Sequence, residues 1–284
     1  MTSIEFNKKE IERVFKDQTI SQVTEITHGY DQNIVIIVTN KHEKYVVKYP
    51  KEELEIIDRE VFAEKTISKF CIPHAEIIHR TESYYIQEYL EKNDLANLTI
   101  TDEEYKLLYE QIGSWMKLYH QTPIVKFGKL YSDKLFDTAT SYYTNYFETY
   151  NKTHKISNDM RRDVTSYFNK KITLIADDNP VFIHDDINEY NIRIKDKTIT
   201  GLIDFGDAKG GIKEQDYAMI YMDDNLDLIK FNAAISQDKS LSLEKIEFCV
   251  VLRILFFLTK IEMSVERETK IILKLQNILH KNKK

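Results

Sequence analysis

Two short stretches concentrate oxygen donors at spacings that suit phosphoryl transfer. The first is His184-Asp185-Asp186-Ile187-Asn188-Glu189-Tyr190-Asn191, and the second is Asp204-Phe205-Gly206-Asp207. Moving a phosphoryl group needs little covalent chemistry from the protein. It needs a carboxylate to orient the acceptor hydroxyl and hard oxygen ligands to hold Mg²⁺ on the phosphates. The spacing assigns Asp186 the first task, as catalytic base or orienter. Asn191, five residues on, and Asp204, at the end of the next strand, take the second. His184 is expected to brace the loop from behind rather than to react. His-x-Asp-x-x-x-x-Asn followed by Asp-Phe-Gly is the catalytic-loop and metal-loop pair of kinases.

A triphosphate also needs a cation. Tyr45-Val46-Val47-Lys48 reads as a strand ending in a lysine placed to hold the α- and β-phosphates. Its partner should be a glutamate on the helix that follows. Glu60 and Glu64 both qualify, one turn apart, and Glu60 is preferred from its distance to Pro73. No Gly-x-Gly-x-x-Gly is present. Only Gly29 and Asn33 lie in the first turn, where a phosphate loop would be.

The elements that carry these residues are legible as changes of period. Asn7 and Glu10 form a capping-box pattern ahead of Ile11, Val14 and Phe15. Runs at 23–27, 33–39 and 44–49 are β-branched and aromatic, which predicts an antiparallel three-stranded meander. A charged amphipathic helix over 52–70 stops near Pro73. Two more short strands, 75–79 and 84–87, complete a small sheet. Beyond Tyr89 the pattern turns helical, with a second capping box at Thr101 and Glu104 and an aromatic stripe at Tyr143, Tyr146, Phe147 and Tyr150. Strands at 181–183, 192–194 and 198–203 are the sole expected interruption. The fold class is α+β and bilobal, kinase-like: residues 1–89 form a nucleotide-binding lobe with an antiparallel sheet and one main helix. Residues 90–284 form a larger, mostly helical lobe with the catalytic loop, metal loop and acceptor site.

Composition removes other classes. The 284 residues carry 42% hydrophobic and 30% charged side chains, with 7 glycines and 4 prolines, so no flexible linker is expected. The net charge of −6 speaks against nucleic acid and is compatible with a cationic ligand. Residues 1–11 lack an apolar signal stretch, and the apolar run 248–258 is too short to span a bilayer and is interrupted by Arg253. Cys71 and Cys249 sit in apolar surroundings and read as reduced core thiols. A cytoplasmic monomer or weak dimer, away from membranes, is expected.

The chain resembles the aminoglycoside phosphotransferase family over nearly its whole length. Val47-Lys48, the helix end running from Ile112 to Pro123, and His184 to Asp207 carry the resemblance. The tail Ile203-Asp204-Phe205-Gly206-Asp207-Ala208, with Asp216-Tyr217 after it, is most similar to the 2''-phosphotransferase branch. The resemblance implies Mg²⁺, ATP or GTP as donor, and a nucleotide seated between lobes with backbone groups of Gln87 and Tyr89 on its base. It implies an aminoglycoside as cationic acceptor, with resistance as the consequence. One departure is Asp185, where the family often has glycine.

Protein kinases carry a long activation segment ending in Ala-Pro-Glu. Here nine residues separate Gly206 from Asp216 and the tripeptide is absent, so a protein substrate is not expected. Asp216, Asp223, Asp224 and Asp227 follow on a helix expected to face the catalytic loop, where carboxylates would suit ammonium groups. Other readings are a metabolic kinase for choline, homoserine or a sugar-like acceptor, a metal-dependent phosphohydrolase on His184-Asp185, and a non-catalytic nucleotide-binding module. The last would be expected to have lost Lys48, Asp186 or Asp204, and all three are present.

Overall fold

Residues 8–26, 31–90, 93–223 and 228–282 are described in a computed structural model of the chain, Asp223 by its backbone alone. Asn7, Gly29 and Asp224, and with Asn7 the first capping box, lie outside the described residues. The strands are β1 (Ile20–Ile26), β2 (Gln32–Thr39), β3 (Lys44–Pro50), β4 (Ile77–Arg80), β5 (Tyr85–Glu88), β6 (Asn93–Asp94), β7 (Gly128–Lys129), β8 (Val181–Ile183), β9 (Ile192–Lys195), β10 (Thr198–Leu202) and β11 (Lys209–Gly211). The α-helices are α1 (Lys8–Glu12), α2 (Glu55–Ser68), α3 (Asp102–Tyr119), α4 (Ala139–Tyr150), α5 (Asn158–Lys171), α6 (Glu214–Asp223), α7 (Ile229–Ile235), α8 (Leu243–Lys260) and α9 (Val265–Lys281).

Two units result, Met1–Leu98 with Tyr190–Gly206, and Thr99–Glu189 with Asp207–Lys284. In the first, an antiparallel sheet runs β1-β2-β3-β5-β4. Alternation along β2 buries Val35 and Ile37 completely against Val47, Ile86, Ile11 and Phe15. Each such aliphatic side chain contributes about 1.5–3 kcal/mol. Helix α2 turns Ile56, Ile57, Glu60, Val61, Ala63 and Ile67 inward, the 3–4 spacing of one helical face.

The division expected at residue 89 differs from the observed one, because the β9–β10 hairpin groups with the first unit. The Leu202 amide donates to the Pro73 carbonyl at 3.0 Å, and β6 pairs with β9. Gly201 lies so close to His74 and Leu90 that an added Cβ would stand 2.4 Å from the Leu90 side chain. Asp204 and Gly206 thus belong structurally with Lys48.

The second unit is mostly helical. Thr101 caps α3 in a complete capping box with Glu104, and Thr138, Ser157, Ser242 and Ser264 each accept an amide hydrogen at the start of α4, α5, α8 and α9. Gly113 allows α3 to approach α7: a Cβ there would sit 2.3 Å from the Ala234 carbonyl oxygen. Phe147 stacks on Phe168 with ring centroids 4.0 Å apart.

Three short strands were not foreseen. These are β6, β7 and β11, each too brief to show a period of two. Cys71 is a second difference. It is exposed, in a left-handed turn just after α2, whereas Cys249 is buried. Among the described residues no helix is long and apolar enough to cross a membrane.

Candidate active site

In the first unit the sheet points Lys48 inward from β3, and the ammonium is almost fully buried. Its Nζ lies 3.4 Å from Glu60 Oε1 on α2 and 3.5 Å from Asp204 Oδ1. Burial opposes the charge, but Glu60 and then Asp204 outweigh it and hold the lysine above its ordinary value. Glu64, the alternative partner, sits one turn on among His74 and Glu76, where burial raises its carboxyl. Tyr85 closes the other side, its ring 5.7 Å from Nζ and its hydroxyl donating to Gln32 Oε1 at 3.2 Å.

Asp204 stands at φ +68°, a left-handed backbone that aspartate tolerates better than most residues. The loop is pinned on both flanks. The Ile203 amide donates to the Asn191 carbonyl at 3.0 Å, and Arg59 Nε donates to the Gly206 carbonyl at 2.6 Å. Arg59 itself is buried and paired with Glu53 at 2.7 Å. Asn191 is buried, while the Asp204 side chain keeps 46% of its surface exposed.

This donor set fits Mg²⁺. Two carboxylates share one ammonium, leaving negative charge, and the part-exposed Asp204 carboxylate offers the hard oxygen such a cation would take. No cluster of three or more His, Cys, Asp or Glu forms a self-contained metal site among the described residues.

Of the nucleotide-contact candidates, Asn33 lies on β2 opposite Tyr49. Gln87 is buried in β5 opposite Val46, and the Tyr89 amide donates to the Lys44 carbonyl at 3.3 Å.

In the second unit, β8 delivers the loop that begins at His184 onto α6. Asp216, at the start of that helix, is fully buried and accepts from the His184 amide at 3.1 Å and the Asp185 amide at 2.7 Å. It also accepts from Tyr119 Oη at 2.7 Å and is paired with His120 Nε2 at 2.9 Å. Asp216, one of the residues expected to meet the acceptor, has both oxygens on the loop and is fully buried. Of the other acceptor candidates, Asp223 ends α6 and Asp224 is outside the described residues.

His184 is also fully buried, and its Nδ1 accepts from the Asp186 amide at 3.2 Å. Asn188 Nδ2 donates to the Asp186 carbonyl at 3.1 Å. The Asp186 carboxylate is 32% exposed and lies 3.8 Å from Arg253 Nη2. Arg253 and Lys209 are the residues that sequence reasoning missed here; both pair with Asp185. A signal existed. An arginine that interrupts the apolar run 248–258 must find a buried anion.

With this geometry in view, comparisons with known proteins converge. The model of the phosphotransferase enzyme family matches residues 22–246. No curated protein sequence matches. Among solved structures, a thermostable mutant of aminoglycoside phosphotransferase APH(4)-Ia, apo form, aligns with a TM-score of 0.72 at 12% identity, over 97% of this chain and 99% of that one. A putative fructosamine-3-kinase from Thermobifida fusca aligns with a TM-score of 0.70 at 16% identity, over 95% and 98%. The gentamicin complex of APH(2")-IIa aligns at 0.68 and 15% identity, over 98% and 97%. At these identities the likeness shows a shared kinase-like fold. A family match across most of the sequence, on a fold with a sheet-and-helix unit and a helical unit, makes this chain a member of the phosphotransferase enzyme family.

Proposed function

We propose that the protein transfers the terminal phosphoryl of ATP or GTP to a hydroxyl of an aminoglycoside. The observation that carries the transfer is the buried Lys48 ammonium shared by Glu60 and Asp204. A lysine so held offers a fixed positive charge to the α- and β-phosphates without a large cost in side-chain ordering. Asn191 and Asp204 would hold Mg²⁺, which when bound would supply positive charge against the phosphates. Asn33, Gln87 and Tyr89 are assigned to the nucleotide, and so is Gly29 from its place in the sequence.

Asp186 accepts the hydrogen bond of the acceptor hydroxyl and takes its proton as the oxygen attacks the terminal phosphorus, whose bond to the bridging oxygen breaks so that the nucleoside diphosphate leaves. His184 keeps Asp186 in place through the amide it receives. The acceptor is read as polycationic from the net charge of −6 and from the run Asp223, Asp224 and Asp227.

One observation favours a second reading, in which the acceptor is a fructosamine or another small metabolite. The fold likeness to the putative fructosamine-3-kinase is as close as that to the aminoglycoside enzymes.

The test is nucleotide consumption by the purified protein with MgATP and MgGTP against kanamycin, gentamicin, hygromycin B, fructosyl-lysine and choline. Stimulation by an aminoglycoside, with phosphorylated product seen by mass spectrometry, is expected. Phosphorylation of fructosyl-lysine or choline with every aminoglycoside inert would overturn the acceptor assignment and leave the transfer reaction standing.

A further inference from the structure

Asp185 is an unusual choice for its place in the chain. Its backbone is left-handed, with φ at +65°, where glycine is free and a side chain costs energy. Its side chain is also completely buried. A carboxylate in that position needs compensation, and the structure supplies it from three elements. Arg253 Nη1 on α8 lies 2.9 Å from Oδ2, Lys209 Nζ on β11 pairs with the same oxygen, and Gln215 Nε2 on α6 donates to Oδ1 at 2.5 Å. The backbone is held as well: the Asp185 carbonyl accepts from Arg253 Nη2 at 2.7 Å, and its amide donates to Asp216. The same Nη2 is the group 3.8 Å from the Asp186 carboxylate. Burial disfavours the charge on Arg253 and on Lys209, and in each case Asp185 is the largest opposing influence.

We propose that Asp185 and Arg253 are positioning residues that fix the rotamer and location of Asp186, and that the carboxylate of Asp185 is required for this, not only the turn it occupies. A buried anion fastened to the backbone next to Asp186 sets where Arg253 can lie. Arg253 then reaches Asp186 with one edge of a planar guanidinium whose other nitrogens are committed. Misplacing a reacting group by about 1 Å can cost on the order of a hundredfold in rate. The inference rests on the reading of Asp186 as the acceptor-orienting group.

The experiment compares Asp185→Asn, Asp185→Gly and Arg253→Lys with the wild type, each alone and in an Asp186→Asn background. Folding is checked by circular dichroism and thermal unfolding. Transfer is measured from MgATP to kanamycin, or to water if kanamycin is not turned over. Each folded single variant is expected to lose about ten- to a hundredfold in kcat, with the nucleotide KM within about twofold of the parent. In the Asp186→Asn background the same changes should cost nothing further, since they act through the group already removed. Glycine relieves the backbone but lacks the carboxylate, so a folded Asp185→Gly with wild-type kcat would overturn the proposal. So would losses that multiply with that of Asp186→Asn, as a merely structural role predicts. Should the Asp185 variants not fold, Arg253→Lys decides, because it keeps the buried charge and shortens the reach to Asp186. If Asp186→Asn itself retains full kcat, the reading of the site fails first. If Asp186→Asn is inactive and Arg253→Lys is silent, only this inference fails.

Discussion

Lys48 is a residue whose neighbours decide what it can do. Its ammonium is buried with two carboxylates at 3.4 and 3.5 Å, so removing it strands negative charge as well as losing the proposed phosphate contact. Lys48→Met should lower kcat/KM for the nucleotide by about ten- to a hundredfold, the equivalent of one charge-assisted hydrogen bond. Glu60→Gln should do less, roughly fivefold, because Asp204 still holds the lysine. Glu64→Gln should stay within about twofold, since its carboxyl sits among His74 and Glu76. Steady-state kinetics with varied MgATP check all three, and a damaging Glu64→Gln beside a silent Glu60→Gln would reverse the assignment. Lys48, Asp186, Asn191 and Asp204 could be singled out from residue type and spacing alone. Glu60 is preferred over Glu64 in sequence only by its distance to Pro73, a coarse ruler because a helix start uncertain by a few residues blurs one turn into the next; Lys48 pairs with Glu60 at 3.4 Å. The tie from Arg253 to Asp185 spans 68 positions in sequence, so the arginine within its apolar run signals a buried anion without saying which one.

At the scale of elements, α6 shows how a buried carboxylate can serve a loop. Asp216 in its first turn meets the amides of His184 and Asp185, the Tyr119 hydroxyl and His120. Burial alone would push its carboxyl up, and His120, His184 and Tyr119 more than offset this and bring it below the ordinary value. The sign for stability follows. A depressed carboxylate contributes stability above its unfolded value of about 4, and that contribution is lost as pH falls through the folded value. Asp216→Asn turns a donor toward groups that themselves donate, and should cost about 3 kcal/mol near neutral pH. Thermal unfolding should show the deficit as a fall of roughly 6 °C. The gap to wild type should narrow as pH drops below about 4. A constant gap from pH 7 to pH 3 would mean the carboxylate charge is not what holds the loop. The period of two in β2 and the capping box of α3 are readable in sequence, since both depend on neighbours within one element. The two- and three-residue strands β7 and β11 are not, because their pairing partners are far along the chain.

For the molecule as a whole, the residues proposed for nucleotide and metal all lie in the first unit, while Asp186 and its braces lie in the second. Binding and transfer can therefore be tested by different measurements on the same protein. A ligand that binds only the folded chain stabilises it by RT ln(1 + [L]/Kd), about 2.7 kcal/mol at a hundredfold excess over Kd. For a chain of this size that is a rise of roughly 5 °C in Tm. MgATP or MgGTP should produce such a rise in the wild type and leave it intact in Asp186→Asn, because that carboxylate is assigned to the acceptor. Chelating the metal with EDTA while keeping the nucleotide should remove most of the shift, since the triphosphate would then face Glu60 and Asp204 with only Lys48 to balance them. Asp204→Asn should give little metal-dependent shift at any Mg²⁺ concentration, because that half-exposed carboxylate is the charged member of the proposed metal pair. Differential scanning calorimetry with and without EDTA measures each arm. Equal shifts in Mg²⁺ and in EDTA would sink the metal assignment of Asn191 and Asp204. A shift lost in Asp186→Asn but kept in Asp204→Asn would exchange the roles given to the two motifs.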